Sequence, residues 1–416
     1  MIIGMNITAF VFGSTGDVFP FIVLGKELKR RGHNYAVATF DEFRNDVERA
    51  GLTYKYVEGN MQFMMSTLLT ERKGDKKTDG LNGLKQVLMK HKNLYRDIKN
   101  ACEGTELIIY MQFGALAYHF AEKYHIPCIR TFVYPSDPTR QYSVLGKVMP
   151  RNTFKCELGY RIGALCMNIA SIETVNEWRK RLGLRKWHYL SSYKKINREQ
   201  ILTLYQYSSY LAPRDLKWKS HIHITGPWIE SKEKCYKPDP NLLHFLQNGE
   251  EPIYIGFGSM MYSKMPQLQK AILEALKHTG QRAILSSWSK TGEENTNEKI
   301  YYVDYIPFQW LFKHVKAVVH HGGSGTTHLG VRMGKPTLVI AFGADQLFWG
   351  TQIEMLNLGP APLNVQTGEI KTDILIERFE ALKEEKYKVN ALKIGKLMEK
   401  DGGVREACDI IESNYK

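Results

Sequence analysis

The chain has 416 residues with 57 basic and 43 acidic side chains, which gives a net charge of +14, and 43% of its residues are hydrophobic. This length suits two α/β domains, and the charge favours an anionic partner, which could be nucleic acid, an acidic membrane or a phosphorylated substrate. No apolar run reaches the roughly 18 residues that span a bilayer, and six scattered cysteines without a Cys-x-x-Cys pair fit a reducing compartment, so we expect a cytoplasmic protein that is at most membrane-associated.

The chain opens with a pattern of strand, turn, helix and strand. The predicted elements are a strand at 6–12, a turn at 13–17, a helix at 20–31 and a strand at 35–39. This order begins a doubly wound parallel sheet, in which ligands bind beyond the carboxyl ends of the strands. Asp17 falls at such an end. Its carboxylate either takes part in chemistry or binds the free N–H groups at the start of the helix.

Further elements are predicted to complete the first sheet. They are a methionine-rich stretch at 61–65, a charged loop at 71–83, a helix at 84–98, and strands at 107–110 and 126–132. The methionines suit an adaptable binding surface, although such groups are more often core. The helix between the last two strands carries His119, a second candidate base. We rank it below Asp17 because its neighbours are apolar.

A basic segment with two tryptophans follows at residues 178–187. Its cations are Arg179, Lys180, Arg181, Arg185 and Lys186. Such a composition is typical either of a solvated basic helix or of a helix that lies on an anionic lipid surface. No nucleic-acid-binding motif accompanies the segment, so nucleic acid ranks last among the anionic partners.

The second half of the chain again alternates strands and helices. Residues 230–240 are charged and contain two prolines, which predicts a linker. The elements predicted after it are a helix at 241–247, a strand at 252–257, a helix at 265–278 and strands at 282–286, 317–319 and 336–340, with a short helix at 329–333. The pair Gly258-Ser259 follows the first of these strands and could be only a tight turn.

The loop after strand 317–319 reads His320-His321-Gly322-Gly323-Ser324-Gly325-Thr326-Thr327-His328. Glycines and small hydroxyl residues before a helix expose backbone N–H groups to an anion, so residues 323–326 predict a diphosphate site. Asp345 and Gln346 follow the next strand and predict binding of a polyhydroxyl group, which together suggests a nucleotide sugar. A simple tight turn is the alternative, and the spacing at 330–335 excludes a Walker loop. The two histidines lack a third metal ligand nearby.

Residues 320–350 closely resemble the donor-binding signature of the GT-B glycosyltransferases. The similar branch contains the sterol glucosyltransferases and the bacterial natural-product glycosyltransferases. Its members carry His-His-Gly-Gly-x-Gly-Thr-Thr, as at 320–327, and Gly-Asp-Gln-x-Phe-Trp-Gly, into which this chain inserts Ala344. Residues 13–20 are similar to the Gly-Ser-x-Gly-Asp-x-x-Pro segment of the same family, whose aspartate is taken as the base.

Weaker similarities extend over most of the chain. Residues 211–215 and 224–228 resemble the segments that close the first domain of this family. Residues 306–312 are similar to its Val-Pro-His-Asp-Trp-Leu-Phe segment, with Phe308-Gln309 in place of His-Asp. The backbone of that segment usually faces the nucleotide base, so the replacement leaves the choice between UDP and dTDP open.

The resemblance implies an α/β fold of two Rossmann-like domains that face each other across a cleft. The implied parts are an acceptor-binding domain at 1–229, a linker at 230–240, a nucleotide-sugar-binding domain at 241–387, and C-terminal helices at 388–416. The last helix is expected to pack back on the first domain.

The resemblance also implies roles for individual residues. Asp17 is the expected catalytic base, and we place Ser14 and His119 on the acceptor side. The expected donor-binding residues are Gly258, Ser259, Ile306, Trp310, His321, Gly323, Ser324, Gly325, Thr326, Asp345 and Gln346. No Asp-x-Asp motif is present to hold a divalent ion, so we expect no metal and no other cofactor.

We therefore expect an inverting glycosyltransferase that moves a hexose, most simply glucose, from a nucleotide diphosphate sugar to a hydroxyl group of a lipophilic acceptor. The acceptor could be a sterol, a polyketide, a flavonoid or a hydroxy-lipid, and a UDP-sugar is the favoured donor. Two other classes stay open: a nucleotide-sugar enzyme such as an epimerase, and a non-catalytic binding protein with a vestigial site. The presence of Asp17 beside a complete donor loop argues against the second.

Overall fold

The computed structural model describes residues 4–60, 93–143, 153–188, 199–230, 236–258, 260, 262–286, 296–368 and 370–415. In this part of the chain two sheets form, and every recorded pairing of neighbouring strands is parallel. Helices connect the strands in both sheets. The predicted α/β fold with two Rossmann-like domains is therefore confirmed.

The first sheet has seven strands in the order β3-β2-β1-β4-β5-β6-β7. The strands are β1 Asn6–Phe10, β2 Asn34–Thr39, β3 Thr53–Tyr56, β4 Leu107–Met111, β5 Cys128–Phe132, β6 Thr203–Tyr205 and β7 Ile222–Ile224. β1 and β4 are almost wholly buried, as continuous apolar strands covered on both faces are. The strand order reverses between β1 and β4, which is where such sheets open a ligand crevice.

The second sheet has six strands in the order β10-β9-β8-β11-β12-β13. The strands are β8 Ile253–Gly256, β9 Ala283–Ser286, β10 Ile300–Val303, β11 Ala317–His320, β12 Thr337–Ala341 and β13 Leu363–Asn364. The order reverses between β8 and β11. The loops after these two strands carry Gly258 and the glycine-rich segment, so both lie at the predicted ligand edge.

Helices cover both sheets. Those of the first half are α1 Thr15–Arg30, α2 Arg44–Arg49, α3 Leu94–Cys102, α4 Tyr118–Tyr124 and α5 Phe154–Arg181. Those of the second half are α6 Pro240–Gln247, α7 Met265–Thr279, α8 Phe308–Leu311, α9 Ser324–Arg332, α10 Ala344–Met355, α11 Thr372–Ala381, α12 Glu385–Met398 and α13 Gly403–Tyr415. The last helix, α13, packs on α1, and its Ala407, Cys408 and Ile411 join the core of the first sheet.

An aromatic cluster joins the two domains. Tyr205 and Tyr207 from the first domain share one buried apolar cluster with Phe348 and Trp349 of α10. The rings of Tyr207 and Trp349 meet edge to face with centroids 5.6 Å apart. Contacts of this kind bury large apolar areas and hold the domains together.

Two helices begin earlier than predicted. α1 starts at Thr15, so that Asp17 lies inside its first turn and Pro20 lies within the helix. α9 starts at Ser324, whereas apolar periodicity placed its start at residue 329. The first turn of α1 is specified by the capping box of Ser14 and Asp17, and that of α9 consists of small residues after Gly323, so apolar periodicity missed both. The predicted features at 61–65, 71–83 and 84–92 lie outside the described residues.

Candidate active site

Asp17 lies in the first turn of α1, just beyond the carboxyl end of β1. Its Oδ2 atom accepts two hydrogen bonds from Ser14, one from the amide N–H at 2.7 Å and one from the hydroxyl group at 2.9 Å. The carboxylate folds over Gly13, where a Cβ atom would lie only 2.4 Å from Oδ2. Asp17 therefore supports the helix start through Oδ2. No described residue bonds its Oδ1 atom, which leaves that atom open to a substrate.

The pKa of Asp17 suits a group that accepts a proton near neutral pH. Burial raises this pKa from 3.8 to about 6, the two bonds from Ser14 lower it, and the negative charge of Asp345 raises it. Asp345 lies in α10 of the other domain. The charge of a residue in the second domain therefore acts on Asp17 in the first. A base is most effective when its pKa lies near the working pH.

The glycine-rich loop ends as a helix N-terminus. Gly323 caps α9, and Ser324, Gly325 and Thr326 occupy its first three positions. The N–H groups of these positions have no acceptor inside the helix, and that of Thr327 is the first to bond back, to the Gly323 carbonyl at 3.0 Å. Free N–H groups and the positive end of a helix dipole together form an anion site.

Two glycines in left-handed conformations bring three loops together. Gly322 has φ of 91°, and a Cβ atom there would lie 2.7 Å from the Gln346 carbonyl oxygen. Gly258 has φ of 58° and faces His321, whose Cε1 atom would be 3.7 Å from a Cβ atom. The loops after β8, β11 and β12 therefore meet at one place. Ser259, which the sequence also assigned to the donor site, lies outside the described residues.

The two histidines of the loop have different surroundings. His320 is buried, and its Nδ1 atom accepts the Gly322 N–H at 2.9 Å, which shapes the loop. His321 lies over Gly323, where a Cβ atom would be 2.6 Å from Nε2. Burial lowers the pKa of His321 to about 4, so its imidazole is neutral at pH 7. A neutral imidazole can still donate one hydrogen bond to a phosphate oxygen.

Asp345 and Gln346 lie in the first turn of α10. The Oε1 atom of Gln346 accepts the N–H groups of Phe342 at 2.7 Å and Gly343 at 3.1 Å, and its Nε2 atom lies 3.2 Å from the Met260 sulfur. The amide oxygen is thus used within the protein. Only Nε2, which has a weak sulfur acceptor, remains for a sugar hydroxyl group. Burial raises the pKa of Asp345, and N–H groups at the helix start lower it.

The segment expected near the nucleotide base is largely engaged in protein contacts. The Ile306 side chain is part of the core. The Trp310 ring packs against Tyr236 and His314, with centroids 5.2 Å and 4.3 Å away. Tyr305, which the sequence reasoning missed, is 77% exposed just beyond the carboxyl end of β10. An open aromatic ring at that edge can stack on a base.

His119 and Arg179 do not have the surroundings that the sequence suggested. The Nδ1 atom of His119 lies 3.2 Å from Arg179 Nη1, and its ring packs on Trp187 at 4.8 Å. Arg179 is 2% exposed and pairs with Glu122 at 2.8 Å. The inclusion of Arg179 in a surface-binding segment is therefore wrong. These contacts give His119 a packing role and do not bring it to Asp17.

Tyr134 is a cleft residue that the sequence reasoning did not single out. Burial and the charges of Asp345 and Asp17 raise its pKa to about 12, while hydrogen bonds with Ser136 and Gln112 lower it. Gln112 has φ of 36° at the carboxyl end of β4, a left-handed conformation that is uncommon outside glycine. Tyr134 therefore keeps its phenolic proton at pH 7, and the negative charges of Asp17 and Asp345 both act on it. It could have been found only from the fold.

The described part of the chain shows neither a cluster of metal ligands nor a membrane-spanning helix. No three His, Cys, Asp or Glu side chains there are grouped so as to hold a metal ion. None of its helices has both the length and the apolar character needed to cross a membrane. Metal-independent transfer stays a prediction.

Two family descriptions match the chain, one in each domain. Residues 7–143 match the glycosyltransferase family 28 N-terminal domain. Residues 272–406 match the C-terminal domain of proteins like erythromycin biosynthesis protein CIII. The calicheamicin glycosyltransferase CalG4 has the same fold, with a TM-score of 0.72 and 17% identity over 99% of this chain and 98% of its own.

Relatives with higher identity are sterol 3-beta-glucosyltransferases. One from Cryptococcus neoformans is 30% identical over 98% of this chain, which spans only 27% of that relative's length. One from Arabidopsis thaliana is 30% identical over 97% of this chain and 67% of its own length. The chain therefore belongs to the GT-B glycosyltransferases, in the branch that contains the sterol 3-beta-glucosyltransferases and the natural-product glycosyltransferases.

Proposed function

We propose that the protein transfers a hexose, with glucose favoured, from a nucleotide diphosphate sugar to a hydroxyl group of a lipophilic acceptor. The observation that carries this proposal is the electrostatic effect of Asp345, in the second domain, on Asp17 in the first. The Asp17 carboxyl group has a pKa of about 6, and the negative charge of Asp345, the carboxyl group expected to bind the sugar, helps to raise it. The glycine-rich helix N-terminus lies in the same loop cluster as Asp345. A base, a sugar site and an anion site on facing surfaces are what sugar transfer requires.

Asp17 is the proposed general base. Its Oδ2 atom is held by Ser14, so Oδ1 is the atom that would take the proton of the acceptor hydroxyl group. As the proton leaves, the acceptor oxygen forms a bond to the sugar carbon, and the bond from that carbon to the diphosphate breaks on the opposite side. This geometry inverts the configuration at the carbon. Tyr134 could donate a hydrogen bond to the acceptor oxygen and orient it.

The leaving diphosphate gains negative charge during the reaction. The N–H groups of Ser324, Gly325 and Thr326, together with the dipole of α9, would stabilise it without a metal. A neutral His321 could add one hydrogen bond. UDP is the favoured nucleotide, and exposed Tyr305 is a candidate to stack on its base.

A sterol is the favoured acceptor, because the relatives of higher identity are sterol 3-beta-glucosyltransferases. We also propose contact with an anionic membrane, where such an acceptor would be found. On α5, the exposed side chains of Phe154, Leu158, Ile162 and Ile169 recur at helical spacing on one face. Lys180, in the last turn at the other end of α5, is exposed as well. Apolar side chains beside cations are typical of helices that lie on lipid.

Five cysteines in the described residues are free thiols: Cys102, Cys128, Cys156, Cys166 and Cys408. Free thiols suit the reducing compartment that we propose for the protein, namely the cytoplasm.

The test is a transfer assay that combines UDP-glucose, other UDP-sugars and dTDP-sugars with sterols, flavonoids, polyketides and hydroxy-lipids. The proposal expects a glycosylated lipophilic product in at least one combination, with inverted configuration at the sugar carbon. Conversion of the donor to an isomeric nucleotide sugar without acceptor would identify an epimerase. Nucleotide binding without either product across the panel would identify a non-catalytic binding protein.

A further inference from the structure

A histidine at the end of the glycine-rich loop connects the two domains. The Nε2 atom of His328 accepts the N–H of Ser208 at 3.0 Å. Its Nδ1 atom lies 2.7 Å from the carbonyl oxygen of Ser324. Ser208 follows β6 of the first domain, whereas Ser324 is the first residue of α9. One imidazole thus contacts the acceptor domain with one nitrogen and the donor loop with the other.

These partners fix the protonation of His328. The Ser208 N–H can donate only to an unprotonated Nε2, and the Ser324 carbonyl can accept only from a protonated Nδ1. Burial lowers the pKa of His328 to about 4, although the bond to Ser324 opposes this effect. The ring is therefore neutral at physiological pH, with its proton on Nδ1 and both nitrogens engaged.

The ring of His328 also joins the two helices that form the donor site. It meets the Trp349 ring edge to face, with centroids 4.6 Å apart. Trp349 lies in α10, whose first turn carries Asp345 and Gln346, and it is 1% exposed. The His328 imidazole therefore contacts both helices of the expected donor site: α9 on the phosphate side and α10 on the sugar side.

The other end of this connection is fixed in the first domain. Ser208 lies beside the carboxyl group of Asp401 and lowers its pKa, and Asp401 belongs to the segment where the chain crosses back towards the first domain. Asp401 packs against Gly226, where a Cβ atom would lie 2.7 Å from its own. Two residues after Asp401, the Gly403 N–H donates a hydrogen bond to the Thr225 carbonyl oxygen. Ser208 is thus a fixed point of the acceptor domain.

We propose that His328 is a positioning residue that sets the register between the donor loop and the domain that carries Asp17. This inference rests on the proposed transfer reaction, in which the base and the sugar carbon come from different domains. Apolar side chains of both domains also pack at the interface, and apolar packing alone specifies relative position weakly. A hydrogen bond to a buried backbone N–H specifies it sharply, and a misplacement of about 1 Å can cost about a hundredfold in rate.

Two replacements at position 328 separate the two bonds. His328→Gln places an acceptor oxygen near the former Nε2, so the bond from Ser208 is kept and the bond to Ser324 is lost. His328→Asn places a donor near the former Nδ1, so the bond to Ser324 is kept and the bond from Ser208 is lost. If His328 acted only within the donor helix α9, the Asn variant should be the more active of the two. If it acts between the domains, the Gln variant should be the more active.

The measurements are kcat for transfer, Kd for UDP, and amide hydrogen exchange in residues 206–212. We expect His328→Gln to keep kcat within about threefold and His328→Asn to lose about ten- to a hundredfold, with Kd for UDP changed by less than about threefold in both. Exchange in 206–212 should rise in the Asn variant and not in the Gln variant. Higher activity of Asn than of Gln, equal loss in both, or a Kd that weakens in step with kcat would overturn the proposal.

A matched control is His33→Asn. His33 is also buried, with Nδ1 accepting the Met5 N–H at 3.1 Å and Nε2 3.1 Å from a Glu412 oxygen, and it contacts neither donor helix. It should lower Tm while leaving kcat within about threefold. If His33→Asn lost as much kcat as His328→Asn, the effect at position 328 would be explained by general destabilisation, and the proposal would be rejected. If the wild type transfers no sugar, the proposed function fails, but the exchange data still decide whether His328 joins the domains.

Discussion

The Oδ2 atom of Asp17 accepts two hydrogen bonds from Ser14, one from the amide N–H at 2.7 Å and the other from the hydroxyl group at 2.9 Å. The same carboxyl group therefore supports a helix start and remains a candidate base. The two roles use different oxygen atoms, so they do not exclude each other. The structural role and the catalytic role do predict different results when the carboxyl group is replaced by an amide group of the same size.

Asp17→Asn should fold normally and bind UDP, because the amide oxygen can still accept both bonds from Ser14. It lacks a group that can take the acceptor proton, and general-base catalysis typically contributes about 10²–10⁴-fold. We expect the transfer rate to fall at least about a hundredfold in steady-state assays. Transfer within a few-fold of wild type by a folded variant would leave Asp17 with only its structural role.

The same replacement should make the protein more stable at neutral pH. The folded-state pKa of Asp17 is about 6, above its ordinary value of 3.8, so ionisation of this group opposes folding. The penalty is complete above the folded pKa and disappears below 3.8. We expect Asp17→Asn to gain about 1–3 kcal/mol in the free energy of unfolding at pH 7.5, and to lose that gain between pH 6 and 4. Denaturant unfolding at several pH values would measure it, and a destabilised Asn variant would contradict it.

The pH below which the transfer rate falls (the acidic limb of the rate profile) should depend on the residues that shift the pKa of Asp17. Because the base must be unprotonated, kcat/KM should fall as pH drops below about 6. Asp345→Asn removes a negative charge that raises this pKa and should move the limb to lower pH. Ser14→Ala removes a hydroxyl donor that lowers the pKa and should move the limb to higher pH. Shifts in the same direction for both variants, measured with saturating acceptor, would disprove Asp17 as the titrating group.

The loop from His320 to Thr326 shows what could be predicted from sequence. Its glycines and hydroxyl residues predicted an anion-binding helix N-terminus, and the structure has a helix N-terminus there, about one turn earlier than apolar spacing suggested. Local patterns determine local backbone, and the resemblance of this loop to a known signature added its chemistry. The order of the strands then put Asp17 and Gly258 at ligand edges, as parallel sheets require.

Contacts between distant residues could not be predicted in this way. Nothing near Arg179 in sequence indicates that Glu122 neutralises it inside the protein. The amide of Gln346 was expected to face a sugar, yet its oxygen closes the loop by accepting from Phe342 and Gly343. The bond from Ser208 to His328 joins residues 120 positions apart. Each depends on tertiary packing, for which a single sequence carries no local signal.

Diphosphate binding at the glycine-rich loop can be tested by thermal unfolding. UDP or dTDP at about a hundred times Kd should stabilise the fold by about 2.7 kcal/mol, because only the folded state binds it. His321→Ala should weaken both this effect and turnover, since it removes a hydrogen-bonding group beside the helix N-terminus. His278→Ala, an exposed histidine in the last turn of α7, is the control and should change neither. Unchanged melting of the wild type at millimolar nucleotide would count against the donor site.

Gln346→Ala should impair use of the sugar nucleotide far more than binding of bare UDP, if Nε2 binds a sugar hydroxyl group. The structure adds a complication, because Ala also leaves the N–H groups of Phe342 and Gly343 without their acceptor. Gln346→Glu keeps an acceptor and removes the Nε2 donor. We expect it to raise KM for the sugar nucleotide by an amount equivalent to about 0.5–1.5 kcal/mol, with little change in Kd for UDP. Equal losses for the two ligands would refute a sugar contact.

The proposed lipid contact can be divided into an apolar and a cationic part. Phe154 and Ile162 on α5 are 60% and 51% exposed, which is unusual for large apolar side chains in water. At the C-terminal end of α5 and just after it, Lys180, Arg185 and Lys186 are exposed. Each cation near an anionic surface should contribute at most about 1 kcal/mol, and burial of apolar side chains should contribute the part of the binding that salt does not screen.

We therefore expect the protein to sediment with vesicles that contain anionic lipid, and to do so less when salt is added. Neutralising Lys180, Arg185 and Lys186 to Gln should weaken binding and flatten its salt dependence. Ile162→Ser should weaken binding by a similar factor at every salt concentration. Arg179→Gln is the matched control: because Arg179 is buried against Glu122, its loss should lower Tm without changing the salt dependence. A wild-type protein that never sediments with such vesicles would reject the lipid contact and favour an acceptor taken up from solution.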